Sequence, residues 1–432
     1  MKGGGLSSIR KAARLGLRNT LGVLPRKQRF AIYRSFVDCD PAPSDRLQLK
    51  IADTKEELEA CFKLLHDAYV DSGFMKPHPS GMRVTLYHAM PTTTTLCAKW
   101  DGEVVGTMSL IRESPLGIPL QTIFDLSGVR AEEGNIAEVS ALAVHPKFRK
   151  TGGAILFPLM KFMYEYCTTF FDTRHLVIAV NPSRIEMYES LLFFERLAAN
   201  VVENYDFANG APAVGAWLDL YHASAIFERV YGTKSPRRNL HAFFTKIKLP
   251  NIQLPLRRYH TTNDPVLTPD LLDHFFNVRT NGFAALDDHH KALLHSIYDL
   301  PDYEPVLPEI PPRCGSERQH RQYGRYHFKC PGHVTFTQNS RKVQLGMHVT
   351  EVSMCGFQAR SERPLPLETW ADTTIQFGPS EVSTVKAEAI HDNVHGEPGC
   401  YGFNLGEPDL VWKRFVNALR TGMTHGDLEN AA

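Results

Sequence analysis

No stretch of this 432-residue sequence stays apolar for anything near the roughly 20 residues that a membrane-spanning helix needs, which sets aside a helical membrane protein. Its eight cysteines (39, 61, 97, 167, 314, 330, 355 and 400) stand far apart and form no C-x-x-C pair. That spacing fits neither a zinc site nor a dense disulfide framework, so reduced thiols and a cytoplasmic setting are expected. Net charge is scarce as well: 48 Lys and Arg oppose 47 Asp and Glu, for a formal +1. This gives no ground for wholesale nucleic-acid binding, and no DNA partner is expected. The N-terminus has neither an apolar core segment nor a small-residue cleavage site, and does not read as a secretory signal. Internal repeats and low-complexity tracts are absent. The length calls for two or three domains.

What is present is unevenly placed. Nine Lys and Arg and no acid lie between Met1 and Val37. In SSIRKAARLGLRNTLGVL the apolar Ile9, Ala13, Leu15, Leu17 and Leu21 recur near helical spacing, with Arg10, Lys11, Arg14 and Arg18 largely opposite. A basic amphipathic helix of this kind either lies peripherally on the anionic inner face of a membrane or sits solvated or docked on the next domain. Residues 1–45 are set apart on that ground.

From Leu47 two periodicities alternate. Strands are expected at LQLKIA (47–52), on both sides of the Asp101-Gly102 hairpin turn (92–112), at 136–144, at HLVIAV (175–180) and at APAVGAWLDL (211–220). Helices fall at TKEELEACFKLLHDAYV, opened by a capping box at Thr54, then from about 153 to 168, and at 182–192. Together they predict an α/β unit over residues 46–221. Residues 222–300 read as a helical extension, with Thr268 and Pro269 opening one helix. Asp287, Asp288, His289 and His290 begin another, where acids favour the N-terminal dipole, and no metal site is expected. PDYEPVLPEIPP holds five prolines and predicts a stiff linker at 301–316. Short alternating runs from HVTFTQ to CYGFNL then predict a small β-barrel or sandwich over 317–425, ending in the helix DLVWKRFVNALRT before a tail at 426–432.

The stretch EVSALAVHPKFRKTGG (138–153) places an acid on a strand that should be buried and two glycines in the turn after it. RKTGGA, Arg149 to Ala154, fits R/Q-x-x-G-x-G/A between a strand and a helix, where bare backbone N–H groups can meet an anion at a helix N-terminus. With NPSRIEMY (181–188) following the next strand, the segment resembles the GNAT acyltransferase superfamily. More narrowly, residues 48 to 220 resemble the long-chain N-acyl amino acid synthases of the FeeM type, through HPSGMRVTLYHAMPTTTTLCAK, GEVVGTMSLIRESPLGIPL, AEVSALAV and NPSRIEMY. The resemblance implies transfer of a long-chain fatty acyl group from acyl carrier protein, or from acyl-CoA, to the amine of an amino acid. No covalently bound cofactor is implied.

An ammonium must lose a proton before its nitrogen attacks a thioester, and a carboxylate at a strand edge can take it. Glu138 is the candidate base, with its pKa raised by burial, and Tyr188 the candidate donor to the departing thiolate. An oxyanion would need a backbone N–H near Ala143 or Val144, where this strand is expected to splay. Val144, Arg149, Gly152, Gly153, Ala154 and Asn181 are the candidate acyl-donor contacts. Two departures stand out: Ala141 replaces an arginine common in the family after E-V-S, and Pro158 interrupts the first turns of the following helix, where a kink is expected. Either Arg83 or Arg112 is a candidate for the acceptor's carboxylate.

After the linker, RQHRQYGRYHFKC carries Arg321 and Arg325 spaced R-x-x-x-R, and EVSMCG (351–356) follows some 25 residues later. Together they resemble the PilZ domain, a small β-barrel receptor for cyclic di-GMP. The resemblance implies nucleotide contacts from Arg321, Arg325, Glu351, Ser353 and Gly356, since guanidinium groups fork onto phosphates and stack on purines. Glu351 departs from the family's Asp or Asn, and His320 stands where a further arginine is common. The fold expected is therefore a GNAT-like α/β acyltransferase domain with a helical extension, plus an all-β PilZ barrel with a C-terminal helix. The function expected is N-acyl transfer under cyclic di-GMP control. Two alternatives are an inactive cyclic di-GMP-responsive adaptor, favoured by Ala141 and Pro158, and an acetyl-CoA-dependent acetyltransferase.

Overall fold

The computed structural model describes residues 24–114, 116–149, 151–255, 264, 267–298, 301–310, 326–338, 341–392 and 399–420. The amphipathic run before residue 24, the Arg321 and Arg325 pair and the C-terminal tail lie outside them.

The first unit is one mixed sheet. Strand β1 (Leu47–Ile51) pairs antiparallel with β2 (Thr93–Trp100), β2 with β3 (Glu103–Arg112), and β3 with β4 (Asn135–Val144). The hairpin between β2 and β3 turns on Asp101 and Gly102, both at positive φ (51° and 84°), as its Asp-Gly dipeptide dictates. β4 then pairs parallel with β5 (Thr173–Val180), joined by the crossover helix that parallel pairing requires. Two short strands, β6 (Glu195–Arg196) and β7 (Val202–Tyr205), flank β8 (Ala211–Asp219), which closes antiparallel on β5.

Helices cover both faces. α1 (Arg26–Ser35) precedes the sheet, and α2 (Lys55–Asp71) starts where Thr54 Oγ1 accepts from Glu57 N at 3.2 Å. Only half of the capping box forms, because the Glu57 carboxylate is held by Lys50 and Lys99 at 3.0 and 2.6 Å. α3 (Leu156–Phe171), α4 (Ile185–Leu192), α5 (Leu220–Tyr231) and α6 (Leu240–Thr245) enclose the main core, in which Leu159, Phe162, Tyr166 and Phe243 are fully buried against Ala137, Leu176 and Ala216 of the sheet. α2 lies on the other face with Ala141 and Ala143.

The extension does not stand apart. Leu49 of β1 bonds to Asn251 and Gln253, so returning chain covers the open sheet edge. A helical segment from Pro269, capped by Thr268, and α7 (Asp288–Ile297) bury Phe275, Phe276 and Leu294 against Phe62 of α2. The linker expected at 301–316 is not extended where it is described. Residues 301–303 form a short 3-10 turn, and Tyr303 and Leu307 bury into this same cluster. Their apolar side chains outweigh the stiffness of the surrounding prolines.

α1, which follows the amphipathic run, lies against α4. Arg29 makes a two-point ion pair with Glu186, Arg26 meets Glu189 at 3.1 Å, and Arg34 donates to Ser190 O at 2.9 Å, all on or beside α4. No helix among the described residues is long and apolar enough to cross a membrane.

The second unit is a closed antiparallel barrel. Its strands β9 (Tyr326–Gln338), β10 (Arg341–Val352), β11 (Gly356–Arg360), β12 (Trp370–Gln376), β13 (Val382–His391) and β14 (Cys400–Leu405) run in the order β10-β11-β14-β13-β12-β9. Closure leaves no free sheet edge. Helix α8 (Leu410–Arg420) seals the interior with Trp412 and Phe415, the latter stacked on Phe377 at 4.1 Å.

Candidate active site

The centre of the first unit is a defect in β4. Its ladder with β5 ends at Glu138–Val177, whereas pairing with β3 runs on to Gly106–Val144. Between Ser140 and Ala143 the register against β3 slips by one, and Ala141 adopts a left-handed conformation with φ 54°. An extra residue in one strand bends it, so the second half of β4 leaves β5. Backbone groups of residues 139–144 facing β5 are thereby released from the ladder.

Into this gap opens an apolar cavity of about 260 Å³. Ala141 lies at its β4 wall, Asn181 and Tyr188 line its α4 side, and Met163, Ile178 and Phe227 are among its apolar lining. The cavity brings together two of the residues expected from the sequence. Tyr188 packs edge-on to Phe194 with ring centres 6.0 Å apart, and burial raises its phenol above the ordinary range. Asn181 accepts from Ser183 N at 3.0 Å, a turn that starts α4.

Glu138 sits on the opposite, α2-facing side of β4, 1% exposed. Burial pushes its carboxyl up to about 8, against the opposing effect of Leu120 N–H, which donates to Oε2 at 2.7 Å. That is its one hydrogen bond among the described residues. Tyr87 and Tyr205 flank it; burial first and the Glu138 charge second hold both phenols high, Tyr87 at about 12. Neither tyrosine was singled out from the sequence. Tyr87 stands inside the HPSGMRVTLYHAM motif, and Tyr205 ends a strand too short to leave a periodic signal.

The loop after β4 turns on its two glycines. Gly152 and Gly153 take φ 67° and 94°, and a Cβ on Gly153 would fall 2.5 Å from the Phe157 ring, so both conformations favour glycine. Arg149 folds back, its Nε donating to Val144 O at 2.7 Å, and its Nη1 lies 3.8 Å from Asp71. Ala154 N bonds within the turn to Thr151 O at 3.3 Å. Helix α3 begins at Leu156 rather than 153, which puts Pro158 in its first turn, where its missing N–H costs no helical bond. The expected kink therefore has no cause, and Pro158 does not argue against catalysis.

The two arginines part company. Arg112 is spent within the fold: its Nη1 donates to Thr94 at 2.8 Å, its Nη2 reaches Pro91 O and Asp264, and its guanidinium lies 3.6 Å over Phe171. Arg83 is equally buried; Arg112 Nε and Arg83 Nη1 both lack a hydrogen-bond partner, but only Arg112 has a carboxylate partner among the described residues.

In the barrel, Glu351 and Ser353 are both buried. Ser353 turns the chain from β10 into β11: its N and Oγ bond Gly356 O at 2.8 and 3.1 Å, and Trp412 Nε1 donates to its carbonyl at 3.0 Å. A Cβ on Gly356 would lie 2.4 Å from Phe403 O, so β14 itself accounts for glycine there.

The first unit is thus a mixed sheet that splays at a bulged β4, with a glycine turn and a helix beyond it. Residues 60–219, somewhat over a third of the chain, match the family model described as N-acyl amino acid synthase FeeM, and the chain is an N-acyltransferase. Among solved structures, FeeM from uncultured soil microbes is 21% identical, over 42% of this chain and 94% of that one, at TM-score 0.36. The CoA-dependent acyl-homoserine lactone synthase BjaI is 21% identical, over 46% and 97%, at TM-score 0.32. A putative acetyltransferase of Salmonella typhimurium, yncA, with acetyl-CoA, is 17% identical over 41% and 95%, at TM-score 0.29. No curated protein matches the chain.

Proposed function

We propose that this N-acyltransferase moves a long-chain acyl group from a pantetheine thioester, that of acyl carrier protein or of CoA, to the amine of an amino acid. The observation that carries the reading is the apolar cavity in the β4–β5 gap. At about 30 Å³ per water-sized group, its 260 Å³ takes on the order of nine such groups. An acetyl group would leave most of it empty, which favours a longer chain over acetyl transfer.

The chemistry divides between the two sides of β4. Glu138 takes a proton from the acceptor ammonium, and the freed nitrogen attacks the thioester carbonyl carbon. The C–N bond forms and the C–S bond breaks; Tyr188, whose raised phenol keeps its proton at neutral pH, donates it to the leaving sulfur and is restored by the second proton that the nitrogen sheds on becoming an amide, so the one proton held by Glu138 is released to solvent. Released β4 backbone beyond Glu138, near Ala143 and Val144, is the oxyanion partner in this reading. Gly152, Gly153 and Ala154, with Arg149 and Asn181 beside them, hold the donor's arm.

In the same reading residues 46–221 are the catalytic domain, 222–300 brace it, and the barrel within 317–425 is a PilZ receptor for cyclic di-GMP. The closed barrel and its sealing helix support this assignment, and Arg321, Arg325, Glu351, Ser353 and Gly356 form the nucleotide site. Calorimetry with cyclic di-GMP tests it: binding by the wild type that is lost in Arg321→Ala/Arg325→Ala is expected, and a wild type that releases no heat refutes it. For the catalytic reading the test is product mass spectrometry with a C12–C16 acyl carrier protein and pooled amino acids. Acetylated products alone would overturn the long-chain assignment.

A further inference from the structure

Arg83 is 5% exposed, yet no ion pair to it forms among the described residues. Its Nη2 donates to Phe207 O, and its guanidinium lies over the rings of Tyr69 and Phe207, 4.4 and 5.0 Å from their centres. Nη1 has no hydrogen-bond partner, and no carboxylate lies within ion-pair distance among the described residues. His88 beside it is held neutral, its imidazole pushed down to about 3 by burial and then by the Arg83 charge. A buried cation left in this state is costly unless an anion joins it.

A second orphan stands next to it. Tyr205, 2% exposed, has no partner for its hydroxyl, and feels the charges of both Glu138 and Arg83. Its ring lies 5.8 Å from that of Phe207, against which Arg83 is stacked. Tyr69, which Arg83 overlies, borders the apolar cavity together with Ser140 and Ala141. An unpaired cation, an unpaired hydroxyl and the candidate base thus share one buried cluster beside the acyl cavity.

We propose that Arg83 Nη1 and the Tyr205 hydroxyl form the seat for the carboxylate of the amino acid acceptor. This rests on the catalytic reading above. The seat holds the acceptor by its carboxylate and turns its amine towards Glu138, and both orphaned groups gain a partner only when the acceptor is bound. It also explains why Arg112, already paired with Asp264, is not used.

The test is steady-state kinetics with the amino acid that the wild type acylates, alongside the amine that remains when its carboxylate is removed. Arg83→Met is expected to raise KM for the amino acid about a hundredfold and to keep KM for the acyl donor within about threefold, because a site built for a polar group loses most when one partner goes. Arg83→Lys is expected to restore part of the loss through its charge, and Tyr205→Phe to raise the same KM by about tenfold. The melting temperature of Arg83→Met should be equal to or above that of the wild type, which separates lost binding from lost folding. An unchanged KM in Arg83→Met, or equal acylation of the decarboxylated amine by the wild type, overturns the seat and leaves the acyltransferase reading intact. Failure of the wild type to acylate any amino acid overturns both.

Discussion

Replacing Glu138 by glutamine changes one atom and separates two consequences of burying an acid. The amide oxygen can still accept from Leu120 N–H, so the local fold is kept, but the group no longer takes a proton. With the wild-type carboxyl at about 8, roughly a tenth is ionised at pH 7, so kcat/KM should climb about tenfold per pH unit below neutrality and level off above 8. The glutamine variant should lose that limb and between about 10² and 10⁴ of the rate. Stability moves the other way. The folded carboxyl binds its proton more tightly than the unfolded one, so its contribution is complete below about 4.5 and is lost as pH rises towards 8. At about 1.4 kcal/mol per unit, the ceiling on that loss is on the order of 5 kcal/mol. Urea denaturation at pH 5 and pH 9 reads it directly. The variant should match the wild type at pH 5 and exceed it at pH 9. Equal stability at both pH values, or a wild-type rate flat from pH 6 to 9, would refute the assignment of Glu138 as a buried base.

Two further outcomes follow from the cavity and the bulge. Ala141→Gly should gain on the order of 1 kcal/mol in urea denaturation, because an L-residue at φ 54° carries a steric cost that glycine escapes, whereas Ala141→Val should lose stability. Ala223 of α5 lines the cavity, so Ala223→Phe should shift donor preference towards shorter chains by several carbons, read as the product distribution from a mixed-length donor pool. An unchanged distribution would mean that the acyl chain lies elsewhere.

Much of the architecture was legible because it rests on local chemistry. Asp101-Gly102 announces its hairpin, Thr54 and Thr268 cap their helices, and the six short alternating runs after residue 326 become the six barrel strands. The Glu138 position and the glycine turn could be read the same way. The place of the bulge could not: a splay was expected near Ala143 or Val144, whereas the left-handed residue is Ala141, an alanine rather than the glycine that would have signalled it. The seat at Arg83 was only half legible, since Arg83 and Arg112 look alike in sequence. Their difference lies in Asp264, about 150 residues beyond Arg112, which pairs with one and not the other. The prolines of 301–312 misled for a related reason, because the burial of Tyr303 and Leu307 depends on partners in α2 and the helical extension.

The most direct measurement is mass spectrometry of the products formed by the full chain from a C12–C16 acyl carrier protein, the matching acyl-CoA and pooled amino acids, beside the Glu138→Gln variant. The account predicts a long-chain N-acyl amino acid from the wild type and its near disappearance in the variant. Acetylated products only, or equal yields from both proteins, would contradict it.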